Sequence, residues 1–382
     1  MTISPFLVAG LIGLAVAYLL TPIVLWVATQ LGIVAQPGGR HIHRTPVPRL
    51  GGLAVYVAFV AAVLGGLPVE RPIHVTHSAQ QIVITVPYRP AIDRPIVGLL
   101  LGATLITLLG VVDDVRGVTP VIKLAGQIAS AIILLPFGVG MDVLTNPLGG
   151  MVFVAGPLGA VVTVIWLVAL CNVMNLIDGV DGLAAGIAAI AGMTVFAASY
   201  QRGDVGTAII AAAFIGGTLG FLPYNSNPAR IFLGDTGSML LGYILGSLAV
   251  LGTYKSYAAV SLLVPLAALG VPVADTALAI LRRWRSGRPI FQADTEHLHH
   301  QLLRRGLSQR QTVIVLYLIT AIFGVAALVL SGIHRFSLIV VLGLLLAALL
   351  VGARRTGLLP WLSGSTASGG PAASGNPGGF GP

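Results

Sequence analysis

The sequence predicts an all-α polytopic membrane protein of about 11 transmembrane helices, N-terminus outside and C-terminus inside, with small external β elements. Three observations predict it. The 382-residue chain is 56% hydrophobic and 9% charged, with a mean hydropathy of +0.95, whereas a soluble domain carries roughly 25% charged residues. Apolar runs of about 20 residues, enough to cross a bilayer, recur along its length. The 12 acidic side chains fall mostly in a few short polar gaps, which the alternation of spans places on one membrane face.

The spans are read at 5–29, 51–69, 95–112, 119–137, 157–176, 180–200, 205–223, 236–253, 257–281, 311–331 and 336–353. The links near 177–179 and 201–204 are the shortest. The first run starts without a basic region and lacks a small-residue cleavage site, so it is read as a retained span. Of the 21 Lys and Arg residues, six (Arg71, Arg89, Arg94, Arg202, Lys255, Arg335) fall on one side and the remaining 15 on the other. The positive-inside rule makes the richer side cytoplasmic. Orientation thus accounts for the net charge of +9. No aromatic-studded basic stripe indicates nucleic-acid binding. Cys171 excludes an internal disulfide and reads as a buried structural thiol.

Residues 1–360 form one integral-membrane domain. Its cytoplasmic loops are 31–50, 113–123, 172–182, 224–238 and 282–310. Outside lie two β-like insertions: 70–94, containing the stretch Gln80–Tyr88, and 141–156, a hairpin around Asn146–Gly150. Residues 361–382, rich in Gly, Ser, Pro and Ala, are expected to be a disordered tail.

Carboxylates at membrane depth are costly unless paired, metal-bound or wet. Asp113 and Asp114 end the third span about 100° apart on the helix, so one can face the bundle centre and the other polar loop groups; a solvated pair beside Arg116 is the plainer reading. Asn172, Asn175 and Asp178, three residues apart, share a helix face, and Asp178-Gly-Val-Asp181-Gly182 then breaks the helix where backbone can approach a ligand. Asp181 alone also suits a helix N-cap, as does Asp235 in Phe232-Leu-Gly-Asp235-Thr-Gly-Ser238. Just upstream, Tyr224-Asn225-Ser-Asn227-Pro228-Ala-Arg230 supplies amides and a cation beside the latter. Asp275 falls inside the ninth span. Arg282, Arg283, Arg285 and Arg288 precede His297, His299 and His300, and guanidiniums there suit a diphosphate. The basic, proline-stiffened segment from Arg40 through His43 to Arg49 suits a cover over a phosphate, or serves orientation alone. Jointly, these groups on one face point to Mg²⁺-assisted phosphoryl transfer to a lipid phosphate, because Mg²⁺ binds through one or two carboxylates plus substrate phosphates.

The set Pro48-Arg-Leu-Gly-Gly52, Asp113-Asp114 with Lys123, Asn172-x-x-Asn175-Leu-Ile-Asp178-Gly-Val-Asp181-Gly, Phe232-x-Gly-Asp235-x-Gly-Ser238 and His297-Leu-His299-His300 resembles the polyprenyl-phosphate N-acetylhexosamine-1-phosphate transferases over residues 35–310. Arg49, Pro272-Val-Ala-Asp275-Thr276 with Arg282-Arg283, and the interrupted histidines look like the WecA/TagO-type branch. The alternative is the branch that moves phospho-N-acetylmuramoyl-pentapeptide. The resemblance implies transfer of N-acetylglucosamine 1-phosphate from a UDP-sugar to undecaprenyl phosphate at the cytoplasmic face of the cell membrane, with release of UMP. It also implies Mg²⁺ (Mn²⁺ as substitute) and a homodimer in the lipid bilayer, with no nucleic acid as partner.

By the same resemblance, Asp235 ligates the metal, Asp113 deprotonates or aligns the lipid phosphate, and Asp114 and Lys123 hold that phosphate and the local geometry. Asn172 belongs to the same substrate-binding stripe, and Asn175, Asp178 and Asp181 face uridine and ribose. Phe232 stacks on uracil near Asn225, and Arg282, Arg283, His297, His299 and His300 grip diphosphate and sugar. His43 and Arg49 belong to the substrate-binding set. A secondary transporter is the reading from another class; its site would sit near the midplane between inverted repeats, and neither feature is visible.

Overall fold

The computed structural model describes residues 4–36, 46–66, 77–78, 81–82, 93–141, 143–145, 151–153, 156–254 and 298–330. The long helices are α1 (Pro5–Gln30), α2 (Gly51–Gly66), α3 (Arg94–Arg116), α4 (Pro120–Leu134, extended by a 3₁₀ turn to Phe137), α5 (Pro157–Ile177), α6 (Leu183–Gln201), α7 (Val205–Asn225) and α8 (Gly234–Tyr254). A short α9 (Leu298–Arg304) and a long α10 (Gln309–Leu330) follow.

Their ends follow from local sequence. Proline stands in the first turn of α1, α3, α4 and α5, where its missing N–H costs nothing. The Asp204 carboxylate accepts from Thr207 N–H at 3.3 Å and so caps α7. The short links expected near 177–179 and 201–204 are real turns, at 178–182 and 202–204.

Eight described helices are long and apolar enough to cross a membrane, and α2, at 16 residues, is shorter. These nine coincide with nine expected spans; the other two, 257–281 and 336–353, lie outside the described residues. The protein is a multi-pass membrane protein. Burial sorts its helices: 89% of the α8 span is enclosed, against 22% for α1. α8 therefore runs through the middle, touching α2, α3, α5, α6 and α7. α1 turns Leu7, Leu11, Leu19 and Trp26 outward. Helix α10 packs on α6.

The hairpin expected near 141–156 is present as β5 (Val143–Thr145) paired antiparallel with β6 (Met151–Phe153). In the first insertion β3 (His77–Ser78) pairs with β4 (Gln81–Ile82); most of the expected Gln80–Tyr88 strand lies outside the described residues. A third pairing was not foreseen. β1 (Val34–Ala35) and β2 (Val47–Pro48) run antiparallel in the first inner loop. This ribbon continues into the site: Phe232 N–H donates to Pro48 O at 2.8 Å, and Gly51 N–H to Phe232 O at 3.0 Å.

Candidate active site

Five helix ends meet at one end of the bundle: the C-termini of α3 and α5 and the N-termini of α2, α4 and α8. They approach closely because the contact positions are glycines. A Cβ on Gly52 would strike the Gly237 backbone, and one on Gly110 the Thr236 backbone.

Lys123 is the hub. It sits in the first turn of α4, and its Nζ lies 2.9 Å from Asp113 Oδ2 on α3 and 2.7 Å from Asp235 Oδ1 on α8. The three side chains are 19%, 10% and 26% exposed, open enough for a ligand and enclosed enough for charge to matter. Asn175 of α5 joins them. Its Nδ2 donates to Asp235 Oδ1 and, at 2.9 Å, to Ser238 Oγ, while its Oδ1 accepts from Lys123 at 3.4 Å. Asp113 Oδ1 accepts from Val118 N–H at 2.9 Å, which fixes the carboxylate against the α3–α4 turn.

Asp114 faces another way, as adjacent helical residues must. Its Oδ1 accepts from Asp235 N–H at 3.0 Å, and its Oδ2 from Thr236 N–H at 3.0 Å and Thr236 Oγ1 at 2.7 Å. It thus supplies from α3 the N-cap that α8 lacks in its own sequence, and a carboxylate suits a helix N-terminus. Gly234 makes room: its φ is +74°, and a Cβ there would strike the Asp114 carboxylate.

Asn172 points to α4. It exchanges amide bonds with Gln127, donating at 2.8 Å and accepting at 3.4 Å. Asp178, partly buried, ends α5. Burial pushes its carboxyl well above the usual carboxylate range. Asp235, Asp114 and Asp181 push it the same way, and Arg49 opposes them. Asp181 is not an N-cap; Gly182 holds that position with φ +77°. Asp181 Oδ2 instead accepts from Asn227 Nδ2 at 2.9 Å and Ala229 N–H at 3.1 Å. Asn225 is buried, its Nδ2 spent on Ile231 O at 3.0 Å and its Oδ1 without a partner. Phe232 and Arg49 are partly buried beside the β2 ribbon. His43, Arg282, Arg283, His297 and Asp275 lie outside the described residues; His299 and His300 fall on α9.

The donor set suits a divalent cation held jointly with a substrate. Among the described residues no three His, Cys, Asp or Glu side chains make a metal site by themselves. Mg²⁺ needs only one or two carboxylates when phosphate oxygens and water complete its octahedron. Asp235 fits that role, since the described hydrogen bonds to its carboxylate all reach Oδ1. The neighbouring carboxylates of Asp235, Asp114 and Asp181, which add to the effect of burial on Asp178, fit it too.

Sequence reading missed Gln127, Gln309 and Arg310, and placed Asn227 only among the amides beside Asp235. Gln127 had a visible signal, a polar residue inside an apolar span one helical turn after Lys123.

Residues 96–253 match the model of glycosyl transferase family 4. A probable undecaprenyl-phosphate N-acetylglucosaminyl 1-phosphate transferase of Bacillus subtilis is 37% identical over 353 residues, covering 92% of each chain. The decaprenyl-phosphate N-acetylglucosaminephosphotransferase of Mycobacterium tuberculosis H37Rv is 35% identical, over 83% of this chain and 81% of its own. The undecaprenyl-phosphate alpha-N-acetylglucosaminyl 1-phosphate transferase of Escherichia coli K12 is 24% identical, over 78% and 76%. With a 37% identical relative matching over 92% of each chain, the chain belongs to the polyprenyl-phosphate N-acetylhexosamine-1-phosphate transferases, glycosyl transferase family 4.

Proposed function

We propose that this protein transfers N-acetylglucosamine 1-phosphate from UDP-N-acetylglucosamine to undecaprenyl phosphate, or a related polyprenyl phosphate, at the cytoplasmic face of the cell membrane. The single observation that carries the reading is the Lys123 bridge between Asp113 and Asp235, which gathers an acid, a cation and a candidate metal ligand where three helices end. The names of the relatives support the sugar and the lipid. The excess of Lys and Arg on the same side supports a cytoplasmic site.

In this reading a lipid phosphate oxygen attacks the sugar-bearing phosphorus of the UDP-sugar. The bond from that phosphorus to the bridging oxygen breaks, UMP leaves with the bridging oxygen, and a diphosphate-linked lipid remains. Asp113 aligns the acceptor phosphate and takes its proton if one is present. Lys123 holds the acceptor's negative charge close to that of Asp235, offsetting a repulsion that would otherwise keep two anions apart. Asn175 orients Asp235 through Oδ1 and leaves Oδ2 for the ion. Asp114 acts on the backbone, fixing where Asp235 starts α8. Mg²⁺, or Mn²⁺ in its place, would be held by Asp235 and would neutralise the diphosphate and the departing UMP. Arg282, Arg283 and the histidines of 297–300 are assigned to the diphosphate and sugar.

Purified protein in detergent tests the reading. UMP release from UDP-N-acetylglucosamine should require both polyprenyl phosphate and a divalent cation. UDP-N-acetylgalactosamine and UDP-N-acetylmuramoyl-pentapeptide should turn over poorly. Preferred turnover of the pentapeptide nucleotide, or none with any donor, would overturn it.

A further inference from the structure

The loop between α7 and α8 has to turn the chain and deliver Asp235, and its first half is tied down by bonds outside the Asp113–Lys123–Asp235 cluster. Asn227 is the tie point. Its Nδ2 donates to Asp181 Oδ2 at 2.9 Å, on the α5–α6 turn, and also to Gln309 Oε1 at the start of α10. Its backbone oxygen accepts from both Arg310 Nε at 3.2 Å and Arg310 Nη2 at 3.0 Å. Ala229 N–H returns to Asp181 Oδ2 at 3.1 Å.

The start of α10 is itself fixed. Ser308 and Gln311 form a reciprocal cap, with Gln311 N–H on Ser308 Oγ at 3.3 Å and Ser308 N–H on Gln311 Oε1 at 2.9 Å. Farther along α10, Tyr317 OH donates to Gly182 O, beside Asp181. One helix therefore grips both the turn that carries Asp178 and the loop that leads to Asp235. Its N-terminal neighbour α9, four residues away, carries His299 and His300. None of these bonds reaches Asp113 or Lys123.

We propose that Asn227, Gln309 and Arg310, with Asp181, form a positioning clamp that sets the nucleotide-sugar side of the active site against the acceptor side. The proposal rests on the transferase reading for the identity of the two sides, and on the hydrogen bonds alone for the clamp. Asn227, Gln309 and Arg310 act through the α5–α6 turn and α9 and need not touch substrate, whereas Asp181 is the member on the nucleotide side. Disrupting the clamp should weaken use of the UDP-sugar while sparing the lipid phosphate, whose Asp113–Lys123 site belongs to α3 and α4.

Asn227→Asp keeps size and shape but turns the donor toward Asp181 into a second carboxylate. It should raise KM for UDP-N-acetylglucosamine about tenfold or more, with KM for polyprenyl phosphate within about twofold of the starting protein. The exchanged pair Asp181→Asn with Asn227→Asp reverses donor and acceptor; because one oxygen, Asp181 Oδ2, accepts from both Asn227 Nδ2 and Ala229 N–H, the exchange gives up the Ala229 bond and should recover only part of that loss. Equal rises in both KM values, an unchanged KM, or no recovery in the exchanged pair would overturn the proposal. Hydrogen–deuterium exchange across residues 226–231 gives a reading independent of substrate: faster exchange in Asn227→Asp and Arg310→Ala, partly restored in the exchanged pair, supports the clamp. Unchanged exchange overturns it even if UDP-N-acetylglucosamine turns out to be the wrong donor, whereas a wild-type protein inert toward that donor, with the exchange pattern as expected, sinks only the transferase reading's choice of sugar.

Discussion

The meeting point of α2, α3, α4, α5 and α8 and the seam between α1 and α7 are built alike and do different things. Both rely on glycine to bring backbones together. In the seam, a Cβ on Gly13, Gly216 or Gly220 would strike the facing helix, and the close approach yields only packing, the usual source of helix association in a membrane. At the meeting point the same device, at Gly110, Gly234 and Gly52, brings helix ends together, and helix ends carry unsatisfied backbone groups and tolerate charge. Close packing is thus general in this protein. A site arises where it occurs at the ends of spans and includes Asp113, Asp114, Lys123 and Asp235.

The sharpest way to break the comparison is Lys123→Ala. It leaves Asp113 and Asp235 facing each other without their shared cation, and turnover should fall about a thousandfold or more, measured as UMP release. Asp235→Asn should match it and should not be rescued by raising the Mg²⁺ concentration; full activity in that variant would remove the metal role from Asp235.

Gly234→Ala comes next. It forces a side chain into a left-handed conformation and into the Asp114 carboxylate, so α8 loses both its start and its cap. A stability loss of about 1–3 kcal/mol together with a large drop in kcat is expected, read by thermal unfolding and turnover. The contrasting change is Gly216→Val in the seam. Overpacking there should cost a similar ~1–3 kcal/mol but leave both KM values unchanged. If Gly216→Val altered KM as Gly234→Ala altered kcat, the two regions would not be functionally distinct.

The smallest effect is expected from Asp178→Asn, through pH. The folded-state pKa of Asp178 is raised above an unfolded value of about 3.9. Between those two values the folded protein binds more protons than the unfolded chain, so the wild type without divalent cation loses stability as pH rises through that window. Asp178→Asn removes the titrating group and should flatten the dependence, with a small rise in melting temperature at pH 7 and lower activity. A melting curve whose pH dependence survives the substitution would remove Asp178 as its source.

Much of this was legible in the sequence, for identifiable reasons. Spans announce themselves because a bilayer demands about 20 apolar residues in a row, and their order alone places Asp113, Lys123, Asn175 and Asp235 at one end of the bundle. The hairpin at 143–153 was legible from its turn residues. The β1–β2 ribbon was not, because two-residue strands leave too little periodicity to read. The spacing of Asn172 and Asn175 correctly indicated a shared stripe. It could not show that Asn172 turns to Gln127 while Asn175 turns to Asp235, because a stripe that drifts from one helix neighbour to the next looks uniform in one dimension. Likewise, Asp181 and Asp235 both looked like caps of the helices that follow them, and neither is.

The sequence by itself determined the solvent, the helices and which end of the bundle carries charge, since each depends on local composition and on the rule that apolar length crosses the membrane. Only the tertiary structure decided the division of labour among the acids. Asp113 meets Lys123, Asp114 caps a helix from another part of the chain, and Asp181 holds a loop, because a carboxylate's role is set by the donors within about 3 Å of it, and those donors come from residues five to more than a hundred positions away.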